Sequence, residues 1–193
     1  MKNNMVRKMT TMALLIALII VLQFVSGMIP SFGGFNFSLV LIPIVIGSAI
    51  YGPIAGAILG AAFGTIVYIN CVNGVDIGGA MVFQASPILC FVVVMGKGTF
   101  AGLASGWVYQ FLKGVNGYIA MLCAAIICPL VNTGVFVVCM MIFFKDVLTA
   151  WAGGGDLVAY ILTGLVVANF LPELMINIVF SPAGQRILRI VKK

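Results

Sequence analysis

From Pro87 to Leu112 the chain reads PILCFVVVMGKGTFAGLASGWVYQFL, with Lys97 as its only charged residue. As a helix this stretch would run about 39 Å at about 1.5 Å per residue, enough to cross a bilayer hydrocarbon core of about 30 Å with some tilt. Lys97 would then lie about 15 Å along the axis, too deep for easy snorkelling to either surface. A cation at that depth costs a few kcal/mol unless something answers it. The rest of the chain has the same character. Its 193 residues are 63% hydrophobic and 7% charged, too little charge to cover the surface of a water-soluble domain. The fold class is all-α integral membrane, a single domain over residues 1–193.

Six approximate spans follow from the apolar stretches: residues 9–27, 37–51, 54–69, 87–112, 118–144 and 157–180. The first shows no small-residue cleavage site and is expected to be retained. The second is short and carries Pro43, and only Gly52-Pro53 separates it from the third. The connections GMIPSFGGFN (27–36), CVNGVDIGGA (71–80) and KDVLTAWAGGGD (145–156) read as loops, and the basic tail is expected to begin after Pro182. An even number of crossings puts both termini on one side. Lys2, Arg7 and Lys8 precede the first span, Arg186, Arg189, Lys192 and Lys193 follow the last, and Lys113 lies in a turn on that side. The opposite loops hold Asp76, Asp146, Asp156 and Lys145. The positive-inside bias therefore makes both termini cytoplasmic, and the basic ends report orientation, with nucleic acid not expected as a partner.

Enzymatic chemistry finds little support. There is no histidine, and the five cysteines form no CxxC pair, which argues against a zinc site and against histidine-based nucleophilic catalysis. Gly96-Lys97-Gly98-Thr99 superficially resembles a phosphate loop, but Phe91 stands where its first glycine is needed and Gly98 replaces the Ser/Thr. The chain is not expected to be an enzyme or to carry a cofactor.

The polar residues at membrane depth are the candidate site. Besides Lys97 they are Asn132 and Thr133 in the fifth span, and Asn169, Glu173 and Asn177 in the sixth. The last three are spaced i, i+4, i+8 and share one helix face, next to Pro172, which frees a backbone carbonyl. Such groups should face the bundle interior or a water-filled cavity. Two readings stay open: a structural Lys97–Glu173 pair between helices, or a cavity of lysine and amides that holds a small polar molecule. Gln84 and Ser86, with Asn36, Asn70, Asn73 and Asp76 from the loops, would form the mouth of that cavity.

Small residues form ladders. Gly52, Gly56, Gly60 and Gly64 recur every four residues through the third span, Gly98, Gly102 and Gly106 do so in the fourth, and Ala13 and Ala17 make one step in the first. In lipid, such stripes let backbones approach closely. They serve either packing within this bundle or contact with another membrane protein.

The stretches SLVLIPIVIGSAIYGPIAGAILGAAFG, GVDIGGAMVFQASPI, GKGTFAGLASGWVY, CPLVNTGVFVVCMMIFF and NFLPELMINIVFSPAGQRIL, in this order, cover nearly the whole chain. With them the chain resembles the substrate-binding (S) components of energy-coupling factor (ECF) vitamin transporters. The resemblance implies a six-helix bundle that binds a vitamin or precursor near the outer face, under the loops joining spans one and two and spans three and four. It also implies docking, through the first three helices, on an energising module of one membrane subunit and two ATPases. The Ala-x-x-x-Ala step typical of that docking falls on Ala13 and Ala17, and Gly56 and Gly60 of the third span join the docking candidates. SLVLIPIVIGSAIYGP is most similar to pantothenate-type members, and a deep lysine among amides suits a carboxylate ligand. Folate, a pyridoxine-like vitamin and a queuosine precursor stay open as substrates. Two other classes compete: a free-standing secondary transporter or channel for a small polar solute, expected to show inverted repeats, and a non-transporting membrane scaffold.

Overall fold

The computed structural model of the chain describes residues 2–28 and 39–191. Among them every regular element is helical: α1 (Lys2–Met28), α2 (Leu41–Tyr51), α3 (Pro53–Val72), α4 (Ile77–Ala85), α5 (Pro87–Leu112), α6 (Gly117–Phe143), α7 (Lys145–Trp151), α8 (Leu157–Tyr160), a π-helical stretch (Ile161–Phe170) and α9 (Leu171–Val191). The last three form one continuous rod. Among the described residues, five helical segments are long and apolar enough to cross a membrane, and α2, with 11 residues, is a shorter apolar helix. Large apolar side chains point outward in number, among them Phe24, Ile54, Ile88 and Phe111, as a lipid-facing surface requires.

The centre is the α3–α5 interface, the most extensive in the structure, and the glycine ladders build it. A Cβ added to Gly56 would strike the Gly102 carbonyl, one on Gly60 would strike the Gly98 carbonyl, and one on Gly64 would lie 2.6 Å from the Val94 carbonyl oxygen. With hydrogen at each rung, two backbones touch over about two turns and gain dispersion contacts that side chains would block. Below this seam Ser48 Oγ and Ser105 Oγ lie 3.0 Å apart, a buried tie from α2 to α5. Between α2 and α3 the chain turns at Gly52, whose φ of 95° disfavours any side chain, and Pro53 then opens α3 at a position where its missing N–H costs nothing.

The structure differs from the sequence expectation in three places. The rod does not end at residue 180 but runs through Pro182 to Val191. Pro182 has no N–H for the carbonyl of Ile178, and Ser181 Oγ donates to that carbonyl instead at 2.8 Å, so the helix survives. Second, Ile77–Ala85 is a helix where the glycine-rich stretch reads partly as loop. Asp76 caps it, its Oδ1 accepting from Gly79 N at 3.1 Å. Gly78 and Gly79 therefore belong to α4, and a Cβ on Gly79 would run into Cys71 Sγ. Third, a short helix, α7, occupies Lys145–Trp151 in the expected loop.

Candidate functional site

Three devices bring polar side chains to one place. Because Gly60 and Gly98 hold α3 against α5, Lys97 and Phe63 meet just above that contact, with the lysine Nζ 5.9 Å from the Phe63 ring centroid. On the other side α6 presents Phe136, 4.8 Å from the same Nζ. Two aromatic faces thus cradle the ammonium, a contact of about 0.5–2 kcal/mol that aims the cation without neutralising it. Asn132 and Thr133 sit one turn before Phe136 on α6, and both are buried. On the long rod, Leu171 N–H bonds Val166 O, one residue further back than in an α-helix. The register has therefore slipped just before Pro172, which has no N–H to give. Asn169 and Glu173 flank that slip.

These groups line one cavity of about 70 Å³, together with Gln23 of α1, Asn70 and Cys71 of α3, Asp76 of the α3–α4 turn and Trp151 of α7, room for several water molecules. Gln23 Oε1, Asn132 Oδ1 and Thr133 Oγ1 are buried and make no hydrogen bond among the described residues. A buried polar atom left so costs about 1–3 kcal/mol, and three converging on one lysine-bearing cavity are what a site for a polar molecule requires. The mouth is held by aromatic and thioether contacts. Tyr68 packs edge-on against Phe83 and Phe91 at 5.8 and 5.3 Å, tying α3 to α4 and α5, and Trp151 Nε1 donates to Met81 Sδ at 3.3 Å, tying α7 to α4. Among the described residues no group of three His, Cys, Asp or Glu side chains gathers as a metal site would.

The family model described as ECF transporter, substrate-specific component, matches residues 7–183. The chain belongs to this family. No curated protein and no solved structure matches it. The protein is accordingly a membrane substrate-specific subunit of an ECF transporter, a multi-pass protein of a prokaryotic plasma membrane. Membership implies association with an ECF energising module and a small-molecule substrate, in a family of transporter subunits rather than enzymes.

Within this S component the residues singled out on sequence divide. Lys97, Asn132, Thr133, Asn169 and Glu173 come together on the cavity, as do Asn70 and Asp76. Asn73 is exposed in the turn after α3 and Gln84 is exposed on α4; neither lines the cavity. Asn36, with residues 29–38, lies outside the described residues. Asn177 is buried one turn below Glu173, its Nδ2 donating to Glu173 O at 2.8 Å, and it does not line the cavity. Of the four docking candidates, Ala13 and Ala17 are exposed on α1, whereas Gly56 and Gly60 are buried, because their open face is already filled by α5. Sequence reasoning passed over Gln23, Phe63, Phe136 and Trp151. Gln23 carried a signal, as the first polar side chain after Thr11 with only a side-chain-apolar run between; the two phenylalanines carried none, since an aromatic in an apolar helix is ordinarily core or lipid-facing.

Proposed function

We propose that this S component captures an anionic vitamin or vitamin precursor, pantothenate being the favoured candidate, with Lys97 answering its carboxylate. The observation that carries the reading is a lysine between two aromatic faces beside three buried polar atoms with no hydrogen-bond partner among the described residues, Gln23 Oε1, Asn132 Oδ1 and Thr133 Oγ1. A carboxylate supplies the missing charge, and a ligand bearing hydroxyls and an amide satisfies the rest. In this reading six crossings leave both termini in the cytoplasm, the cavity opens to the outer face, and a module of one membrane subunit and two ATPases drives release inward. The direct test is mass spectrometry of small molecules that co-purify with the subunit, followed by calorimetric titration. A carboxylate vitamin is expected; a ligand without an anionic group would overturn the assignment, and uptake in cells lacking the ATPases would favour a free-standing transporter.

Docking and capture should separate. Ala13 and Ala17 are exposed on α1, so replacing both with Trp puts bulk on a helix face that the cavity does not use. Energised uptake is expected to fall to background while the isolated subunit keeps its affinity; uptake at the wild-type rate would remove helix α1 from the docking surface.

Closure over the ligand should be visible at the mouth. Gly74, at φ 70° with open space around it, gives the α3–α4 turn its freedom. Saturating ligand is expected to slow amide exchange across residues 71–80, and across residues 27–36, relative to the lipid-facing turns of α6. Equal exchange with and without ligand would exclude a lid.

A further inference from the structure

We propose that the groove between α1, α3 and α5, at the end of the bundle away from the candidate site, is a binding site for one anionic phospholipid, with its phosphate at Lys8 and an acyl chain along the groove. The groove has a volume of about 770 Å³. Its lining is graded. The polar groups gather at one end: Lys8 of α1 lies 5.9 Å above the Tyr51 ring, and Gln110 of α5 sits against Gly52, 2.9 Å from where a Cβ there would be. Beyond them the walls are apolar, formed by Met12 and Ile16 of α1, Ile58 of α3, and Leu103 and Trp107 of α5. Because α1 and α3 run away from the polar end and α5 runs toward it, all three helices grade in the same direction.

That gradient matches the occupant. From Lys8 to Ile16 is about 12 Å of helix, close to the half-thickness of a bilayer hydrocarbon core, about 15 Å. An acyl chain anchored at the lysine would therefore end near the midplane. Water gains nothing along such walls, and Ile58 and Trp107 remain about half exposed, at 52% and 54%, among the described residues. Charge selects the headgroup. Among the described residues, Lys8 is the only ionisable side chain on the groove other than the Tyr51 phenol, and none of the chain's four acidic residues is among those that line it. A zwitterionic lipid brings its own cation to Lys8, whereas an anionic one does not. The site shares no residue with the cavity around Lys97.

The chain has two tryptophans, and Trp107 is the one on this groove. In a Trp151→Phe background, with thermal melting as the check on folding, Trp107 emission is read in vesicles carrying a phospholipid with brominated acyl chains, either phosphatidylglycerol or phosphatidylcholine, at increasing mole fraction. Brominated phosphatidylglycerol is expected to quench at a mole fraction about fivefold lower than phosphatidylcholine, the factor corresponding to one lysine near an anionic headgroup. Lys8→Gln should bring the two curves together. Native mass spectrometry of the unmodified chain should show one retained anionic lipid that Lys8→Gln loses. Identical quenching by both lipids, or a preference that survives Lys8→Gln, overturns the proposal. So does a Trp107 that neither lipid quenches in the isolated subunit but that the energising module shields, which would assign the groove to a protein segment.

Discussion

Gly60→Leu in α3 is expected to leave little folded subunit in the membrane, although the substitution adds only hydrocarbon to an apolar helix. At this rung the carbonyl of Gly98 occupies the space a Cβ would need, and Thr99 N lies 3.0 Å from it. The obstacle is backbone on both sides, so no rotamer change relieves it, and α3 and α5 must separate. Overpacking by a few methylenes typically costs about 1–3 kcal/mol where side chains can shift; here the loss should exceed that, because the adjacent rungs at Gly56–Gly102 and Gly64–Val94 open with it. Gly134→Leu is the matched control. Gly134 is exposed on α6, and a Cβ there meets nothing within 4 Å. Yield of monodisperse protein and thermal melting should fall sharply for Gly60→Leu and stay near wild type for Gly134→Leu. Wild-type melting of Gly60→Leu would mean that α3 and α5 are not in contact at this rung.

The second large effect belongs to Lys97. Lys97→Met keeps the length of the side chain and its packing on Phe63 and Phe136 while removing the charge. If the ammonium answers a substrate carboxylate, affinity should drop by about 2–5 kcal/mol, the cost of truncating one side of a buried charged pair. Stability without ligand should hold or rise, because a cation that is costly at membrane depth has gone. Glu173 lines the same cavity and is 2% exposed, which sets up the competing case. If Lys97 and Glu173 hold one another, Lys97→Met leaves a buried acid with less compensation, melting falls, and Lys97→Met with Glu173→Gln recovers most of the loss. Affinity and melting measured on both single variants and the double one separate the cases. Lost melting rescued in the double variant would sink the anionic-ligand assignment; lost affinity with unchanged melting supports it.

The site was legible in proportion to how unusual its residues are in lipid. Lys97, Asn132, Thr133, Asn169 and Glu173 stand out because a polar group at membrane depth is costly, so its position on the chain already implies an inward face and a partner. Asn73 and Gln84 carry no such constraint, since a polar residue near the surface is satisfied by water whichever way it points, and both are exposed. Phe63 and Phe136 escaped for the opposite reason: their role depends on the 5.9 and 4.8 Å they keep from one lysine, distances set by helices far apart in sequence.

What the chain determines by itself is that it lies in a membrane as helices, where it breaks at Gly52-Pro53, and which polar groups must turn inward. All three follow from local quantities, namely transfer cost, backbone freedom and axial spacing. The tertiary structure alone decided how the small-residue stripes are used. Gly56 and Gly60 look on sequence much like Ala13 and Ala17, yet the first pair is filled by the carbonyls of Gly102 and Gly98 and the second remains exposed. The helix through Pro182 was likewise decided by a specific bond, Ser181 Oγ to Ile178 O at 2.8 Å. In a bilayer, where apolar burial scarcely favours one helix face over another, the choice of partner rests on contact geometry, which composition and period do not encode.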